Sequence, residues 1–119
     1  MSIFGFFRRR ETRIRDHVTF SGEAVTRTRP DGVVEMIRWD DLQEVAVLTT
    51  DEGPWLEDVF FLLIASDPTS GCAVPQSSDG SKQLLERLQQ LPNFDNEALI
   101  EAMGSTTNGK FVCWKRQAG

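Results

Sequence analysis

The run Val59-Phe60-Phe61-Leu62-Leu63-Ile64-Ala65 constrains this chain more than any other stretch. Its seven consecutive apolar residues fall far short of the roughly 20 that a membrane-crossing helix needs. They are the length of one strand buried on both faces. Breakers fix its ends: Gly53-Pro54 cannot continue a ladder before it, and Asp67-Pro68-Thr69-Ser70-Gly71 marks a turn after it. Such a strand needs covering material on each side, and the rest of the chain has to supply it.

The residues around this run read as further strands. Val18-Thr19-Phe20 is a short one, followed by a turn at Ser21-Gly22-Glu23 and a polar, β-branched strand over 24–29. Pro30-Asp31-Gly32 predicts a tight hairpin of the primed type, because Asp-Gly tolerates positive φ, and 33–39 returns antiparallel. Asp40-Asp41 interrupts the pattern, with a turn-capping role before Leu42, and 44–50 is the next strand. Cys72-Ala73-Val74 is a short strand that Pro75 ends. Trp39 and Trp114 fall within strand patterns and are expected in the core.

Beyond Pro75 the period changes. Ser78-Asp79-Gly80-Ser81 offers a helix N-cap, and 82–91 predicts a helix with Leu84, Leu88 and Leu91 on one face and Leu85 beside them. Pro92 stops it. Asp95 or Asn96 caps a second short helix, in which Leu99, Ala102 and Met103 share a face and Gly104 suits the C′ position. Phe111-Val112-Cys113-Trp114 predicts a short last strand. Strands followed by helices define an α+β chain: a curled antiparallel sheet of about six to seven strands, two C-terminal helices packed on it, and the final strand.

The length of 119 residues suits one domain, with residues 1–16 as a basic, aromatic arm and 17–119 as the α+β unit. Residues 1–15 hold Arg8, Arg9, Arg10, Arg13 and Arg15 against Glu11, a charge of 5 − 1 = +4, so the remainder carries −5 − 4 = −9. An acidic body argues against nucleic acid as its ligand, since phosphate binding needs a basic surface. In the arm, the apolar residues Ile3, Phe4, Phe6 and Phe7 precede the arginines, the reverse of a secretory signal. A reducing, cytoplasmic setting then leaves Cys72 and Cys113 as reduced core thiols.

Catalytic and metal chemistry find little to work with. The single histidine, His17, opens the first strand, where an edge or surface role is the ordinary one. One histidine and two distant cysteines cannot fill a structural zinc site. Asp51, Glu52, Glu57 and Asp58 lack the ligand spacing of a calcium loop, and Gly104-Ser105-Thr106-Thr107-Asn108-Gly109 lacks the Gly-Lys-Ser/Thr ending of a phosphate loop. No catalytic residue, metal or cofactor is expected. The distinctive stretch is Asp51-Glu52-Gly53-Pro54-Trp55-Leu56-Glu57-Asp58, which sets an aromatic side chain inside a rim of carboxylates. Interfaces have this composition, and Asp51, Glu52, Trp55, Glu57 and Asp58 are the candidate contacts for a partner protein with a basic surface. The competing reading folds Trp55 back over the sheet. A second function reading lays Phe4, Phe6 and Phe7 on a membrane surface with Arg8, Arg9 and Arg10 at the headgroups, through an apolar segment too short to hold a membrane alone.

Trp39-Asp40-Asp41-Leu42, Thr49-Thr50-Asp51-Glu52-Gly53-Pro54, Glu57-Asp58-Val59-Phe60, Val74-Pro75-Gln76 and Leu91-Pro92-Asn93-Phe94-Asp95 together resemble a group of short, uncharacterised bacterial cytoplasmic proteins, from about residue 17 to the C-terminus. The strand–Trp-Asp-Asp-Leu–strand segment is also similar to bacterial pleckstrin-homology-like domains, whose plan is a split barrel covered by a helix. The resemblance implies a bacterial source and a non-enzymatic domain. A protein-binding module follows as the expectation, either regulatory or an immunity protein that neutralises a basic toxin.

Overall fold

A computed structural model describes residues 16–51, 58–67 and 70–117. Residues 1–15 of the arm, 52–57 of the acidic loop, and the turn residues Pro68 and Thr69 lie outside the described residues. Strands β1 (His17–Phe20), β2 (Ala24–Thr28) and β3 (Val34–Arg38) form one antiparallel sheet in chain order. Strands β4 (Leu42–Thr49), β5 (Val59–Ala65), β6 (Gly71–Pro75) and β7 (Gly109–Lys115) form a second, ordered β6-β5-β4-β7. Helices α1 (Ser81–Leu88) and α2 (Asn96–Met103) carry the chain from β6 at one edge of that sheet to β7 at the other.

The chain is therefore α+β, but its strands divide into two sheets instead of curling as one, and no barrel closes among the described residues. The division falls at the 3-10 turn Trp39–Asp41, after which β4 does not pair with β3 and takes β5 and β7 as neighbours. Side chains hold this corner. The Ser66 hydroxyl donates to the Asp41 carboxylate, and Arg116 donates to the carbonyls of Leu42 and Trp39 at 2.8 Å each. Trp39 is thus at a corner and half-buried, not inside a strand. Its indole donates to the Ser21 carbonyl at 2.8 Å, with Phe20 edge-on at 6.4 Å and the Arg87 guanidinium 4.4 Å from the ring centre.

The hairpin at Pro30-Asp31-Gly32 forms, with a different turn from the expected one. Gly32 donates to the Arg29 carbonyl at 2.9 Å and Gly32 alone of the three has positive φ (89°). Proline fixes φ near −65°, which excludes a primed turn with Pro30 at its first corner. The result is a three-residue loop that ends on a left-handed glycine.

One core serves both sheets and both helices. Val18, Val25 and Ile37 from the first sheet meet Val45, Val47, Phe61, Leu63, Cys72 and Val74 from the second, together with Leu84 and Leu88 of α1 and Leu99 and Ala102 of α2. On β5, Phe61, Leu63 and Ala65 are buried there, whereas the alternating Phe60, Leu62 and Ile64 are only half-buried. Helix α1 ends three residues before its expected limit at Leu91. Gln90 and Leu91 tighten into i−3 bonds to Arg87 and Leu88, because Pro92 disfavours helical geometry in the residue before it. Gly80, not a side chain, occupies its N-cap. Asp95 caps α2 by accepting from the Ala98 amide at 3.0 Å, and its own amide donates to Cys113 in β7 at 2.7 Å. Met103 is 38% exposed and Gly104 stays right-handed, so both differ from their expected roles. β7 runs for seven residues, with a bulge opposite Val45 and Ala46 that turns both Cys113 and Trp114 into buried positions.

Candidate partner-binding site

The acidic loop joins the two central strands of the larger sheet. Thr49 and Val59 are their last paired residues, and one further bond, from the Thr50 amide to the Asp58 carbonyl at 2.9 Å, closes the mouth of the loop. The neighbouring turn between α2 and β7 braces it. The Thr49 hydroxyl donates to the Thr107 carbonyl at 2.7 Å, and the Asp51 amide donates to the Asn108 side-chain oxygen at 3.2 Å. Thr49 is 1% exposed, so this brace is anchored in the interior. Asp51 and Asp58 stand exposed on the two sides of the mouth. Of the five candidate contacts, the structure brings these two together at one end of the sheet, while Glu52, Trp55 and Glu57 lie outside the described residues.

The thiols are in no state to react. Burial pushes the Cys72 thiol up to about 11, and the charge of Glu35 adds to the effect. Burial, and then the charge of Asp95, takes the Cys113 thiol to about 11 as well. Both are neutral at physiological pH, and the thiolate is the nucleophile. A bond between them is out of reach. They lie on opposite edge strands three spacings apart, roughly 14 Å, and a disulfide bridges Cα atoms at most about 7 Å apart.

His17 is an exposed residue of the edge strand β1. Asp40 and Asp41 sit in the 3-10 corner, where Asp41 has the structural work of holding Ser66. Among the described residues, no group of three or more His, Cys, Asp or Glu side chains is placed to hold a metal ion.

A charge cluster escaped the reading of the sequence. Arg27 donates to Asp16 at 2.7 Å and to Glu35 at 3.1 Å, and only 15% of the Arg27 side chain is exposed. Burial works against its charge, but the bonds to Asp16 and then Glu35 outweigh that and raise its pKa above the ordinary value. The hairpin held the signal: a turn at 30–32 sets Arg27 opposite Glu35. The cluster borders an open cleft of about 330 Å³ between the sheets, lined also by Leu62, Ile64, Gly71 and Ala73. A second concavity of about 300 Å³ lies beside α1, with Phe61, Gln76, Ser81, Lys82 and Leu85 around it. The first also has Glu35, Ser70 and the protonated Cys72 thiol in its lining.

No family model, curated protein or solved structure matches this chain. No helix among the described residues is long and apolar enough to cross a membrane.

Proposed function

We propose that the chain is a non-catalytic, cytoplasmic protein-binding domain, regulatory or immunity-type, whose partner offers a basic surface to the acidic loop between β4 and β5. The observation that carries this reading is the pair of exposed carboxylates, Asp51 and Asp58, at a mouth closed by the 2.9 Å Thr50–Asp58 bond and braced by Thr107 and Asn108. A loop held by a rigid base presents its charges with less ordering cost on binding. An acidic body steers a basic partner toward it. Two protonated, buried thiols agree with a role that uses no nucleophile. The fold reading goes with it: two antiparallel sheets around one core support an open variant of the pleckstrin-homology-like split barrel.

The test is a pull-down with the full chain and with Asp51→Lys/Glu57→Lys/Asp58→Lys. A partner of this site binds the parent at least about tenfold more tightly, and its binding weakens between about 50 and 300 mM salt. A partner retained equally by both proteins excludes the loop as the interface.

A further inference from the structure

We infer that the free edge of β6 takes up an extended, basic peptide segment of a partner protein, laid along the open cleft as an added strand. Strand phase carries the first step. In an antiparallel pair, opposed residues alternate between those that exchange both backbone bonds and those that exchange none. The Gln76 amide donates to the Val59 carbonyl at 2.9 Å, one position beyond the Phe60–Pro75 pair. Counting back from it, Val74 opposite Phe61 and Cys72 opposite Leu63 are the bonded pairs. Ala73 opposite Leu62 and Gly71 opposite Ile64 are the others, so their N–H and C=O groups turn away from β5. β6 is the last strand of its sheet, and among the described residues no other backbone group bonds to them. Such a row of unpaired groups is a template for another strand. The same counting leaves Val34, Met36 and Arg38 with outward groups on β3. The cleft decides between the two edges, because Gly71 and Ala73 line it and Glu35 is its only lining residue from β3.

The walls of the cleft set the pattern of the guest. Successive side chains of an added strand point to opposite faces. One set runs beside Ala73 and the half-buried Leu62 and Ile64, and the other turns toward Cys72, Arg27 and Glu35. The first set is therefore apolar. The second meets two carboxylates, Asp16 and Glu35, against the one guanidinium of Arg27, a charge of −2 + 1 = −1. Arg29, 3.9 Å from Glu35, is itself balanced by Asp31 at 3.2 Å. At the Cys72 thiol the charge of Glu35 outweighs that of Arg27. A cation is the complement, and the charge of −9 on residues 16–119 favours it at longer range. The acidic loop leaves from Val59, at the far end of β5 from Ile64, so the two surfaces are distinct.

The probe is the peptide acetyl-Lys-Val-Lys-Val-Lys-amide, added to the full chain and followed by amide hydrogen exchange. In the free protein the Ala73 amide should exchange readily, while those of Cys72 and Val74 are held in the sheet. With about 1 mM peptide, exchange at Ala73 should slow about tenfold, the effect of a Kd of about 0.1 mM, and Met36 should be unaffected. Two further peptides, N-methylated at the valines or at the lysines, separate backbone pairing from charge. The one that keeps the N–H groups facing β6 retains binding, and the other loses it by at least about tenfold. Ala73→Pro removes one outward N–H and no β5–β6 bond, so it should weaken binding by a similar factor. The methylated pair decides the matter even where Ala73→Pro disturbs folding. Equal behaviour of the two methylated peptides overturns the inference. So does an Ala73 amide already protected in the free protein, which marks an edge covered by the chain itself. Slowing at Met36 or at Asp51 without slowing at Ala73 overturns it as well, and the Asp51 result assigns the peptide to the acidic loop.

Discussion

Cys72 and Cys113 tie stability to alkaline pH. Each thiol moves from 9.0 to about 11 on folding, chiefly because burial disfavours the thiolate. Below about pH 9 both states hold the proton and the thiols contribute no pH dependence. Between about 9 and 11 the unfolded chain releases protons that the folded chain retains, so stability falls as pH rises, and the loss is complete once the folded thiols ionise. A tenfold change in proton affinity is worth about 1.4 kcal/mol, which makes the loss on the order of 2–3 kcal/mol for each thiol. Urea midpoints should therefore stay level from about pH 7 to 8.5 and drop toward 11, with a smaller drop in Cys72→Ala/Cys113→Ala. An equal drop in that variant would assign the effect to other groups. The sequence made both thiols legible as core, because each sits in a short apolar strand. Trp39 was less legible at the same scale: a strand-like neighbourhood concealed that Asp40 and Asp41 turn the chain right after it, leaving the indole to cap a corner.

Among the elements, the contact of β1 with the start of α1 depends on one glycine. Val18 donates its amide to the Asp79 carbonyl at 2.8 Å, and the next residue, Gly80, has φ of 91°. A Cβ there would collide with the Val18 carbonyl oxygen. Gly80→Ala thus meets a left-handed penalty of about 1–2 kcal/mol and a backbone clash as well, and a total loss above about 2 kcal/mol is expected. Gly22, with nothing within 4 Å of its Cβ position, is the control; Gly22→Ala should change stability by less than about 0.5 kcal/mol. Chemical denaturation of both variants checks the pair, and similar losses would refute the argument. The apolar and polar periods made every strand and helix of the described residues recognisable. Boundaries were set by chemistry that periods do not carry. Ser78-Asp79-Gly80-Ser81 looks like a side-chain cap, but the approach of β1 makes it a glycine cap instead, and Pro92 acts on α1 through the residues before it.

At the scale of the whole molecule, the sequence shows which segments are apolar and says little about which strands are neighbours. Short turns made a single meander the natural reading, whereas the strand pairing changes sheet after residue 39, at a corner held by the hydrogen bonds of Asp41, Ser66 and Arg116. The acidic loop was legible as a composition, while the brace from Thr107 and Asn108 was not, since it joins residues 58 and 57 positions apart. Two sheets sharing one core raise the question of whether they unfold together. Val18, Val25 and Ile37 belong to the same buried cluster as Cys72, Val74 and Leu84, so separating the sheets would expose apolar surface on both. The whole described domain should then melt as one cooperative unit. Trp39 reports on the corner between the sheets and Trp114 on the far edge strand, where its indole donates to the Pro92 carbonyl at 2.9 Å. Fluorescence of Trp39→Phe/Trp55→Phe and of Trp55→Phe/Trp114→Phe should give denaturant midpoints, each matching that protein's own far-ultraviolet circular dichroism. A Trp39 transition earlier than the dichroism of the same variant by about 0.5 M or more would show instead that the first sheet comes away by itself.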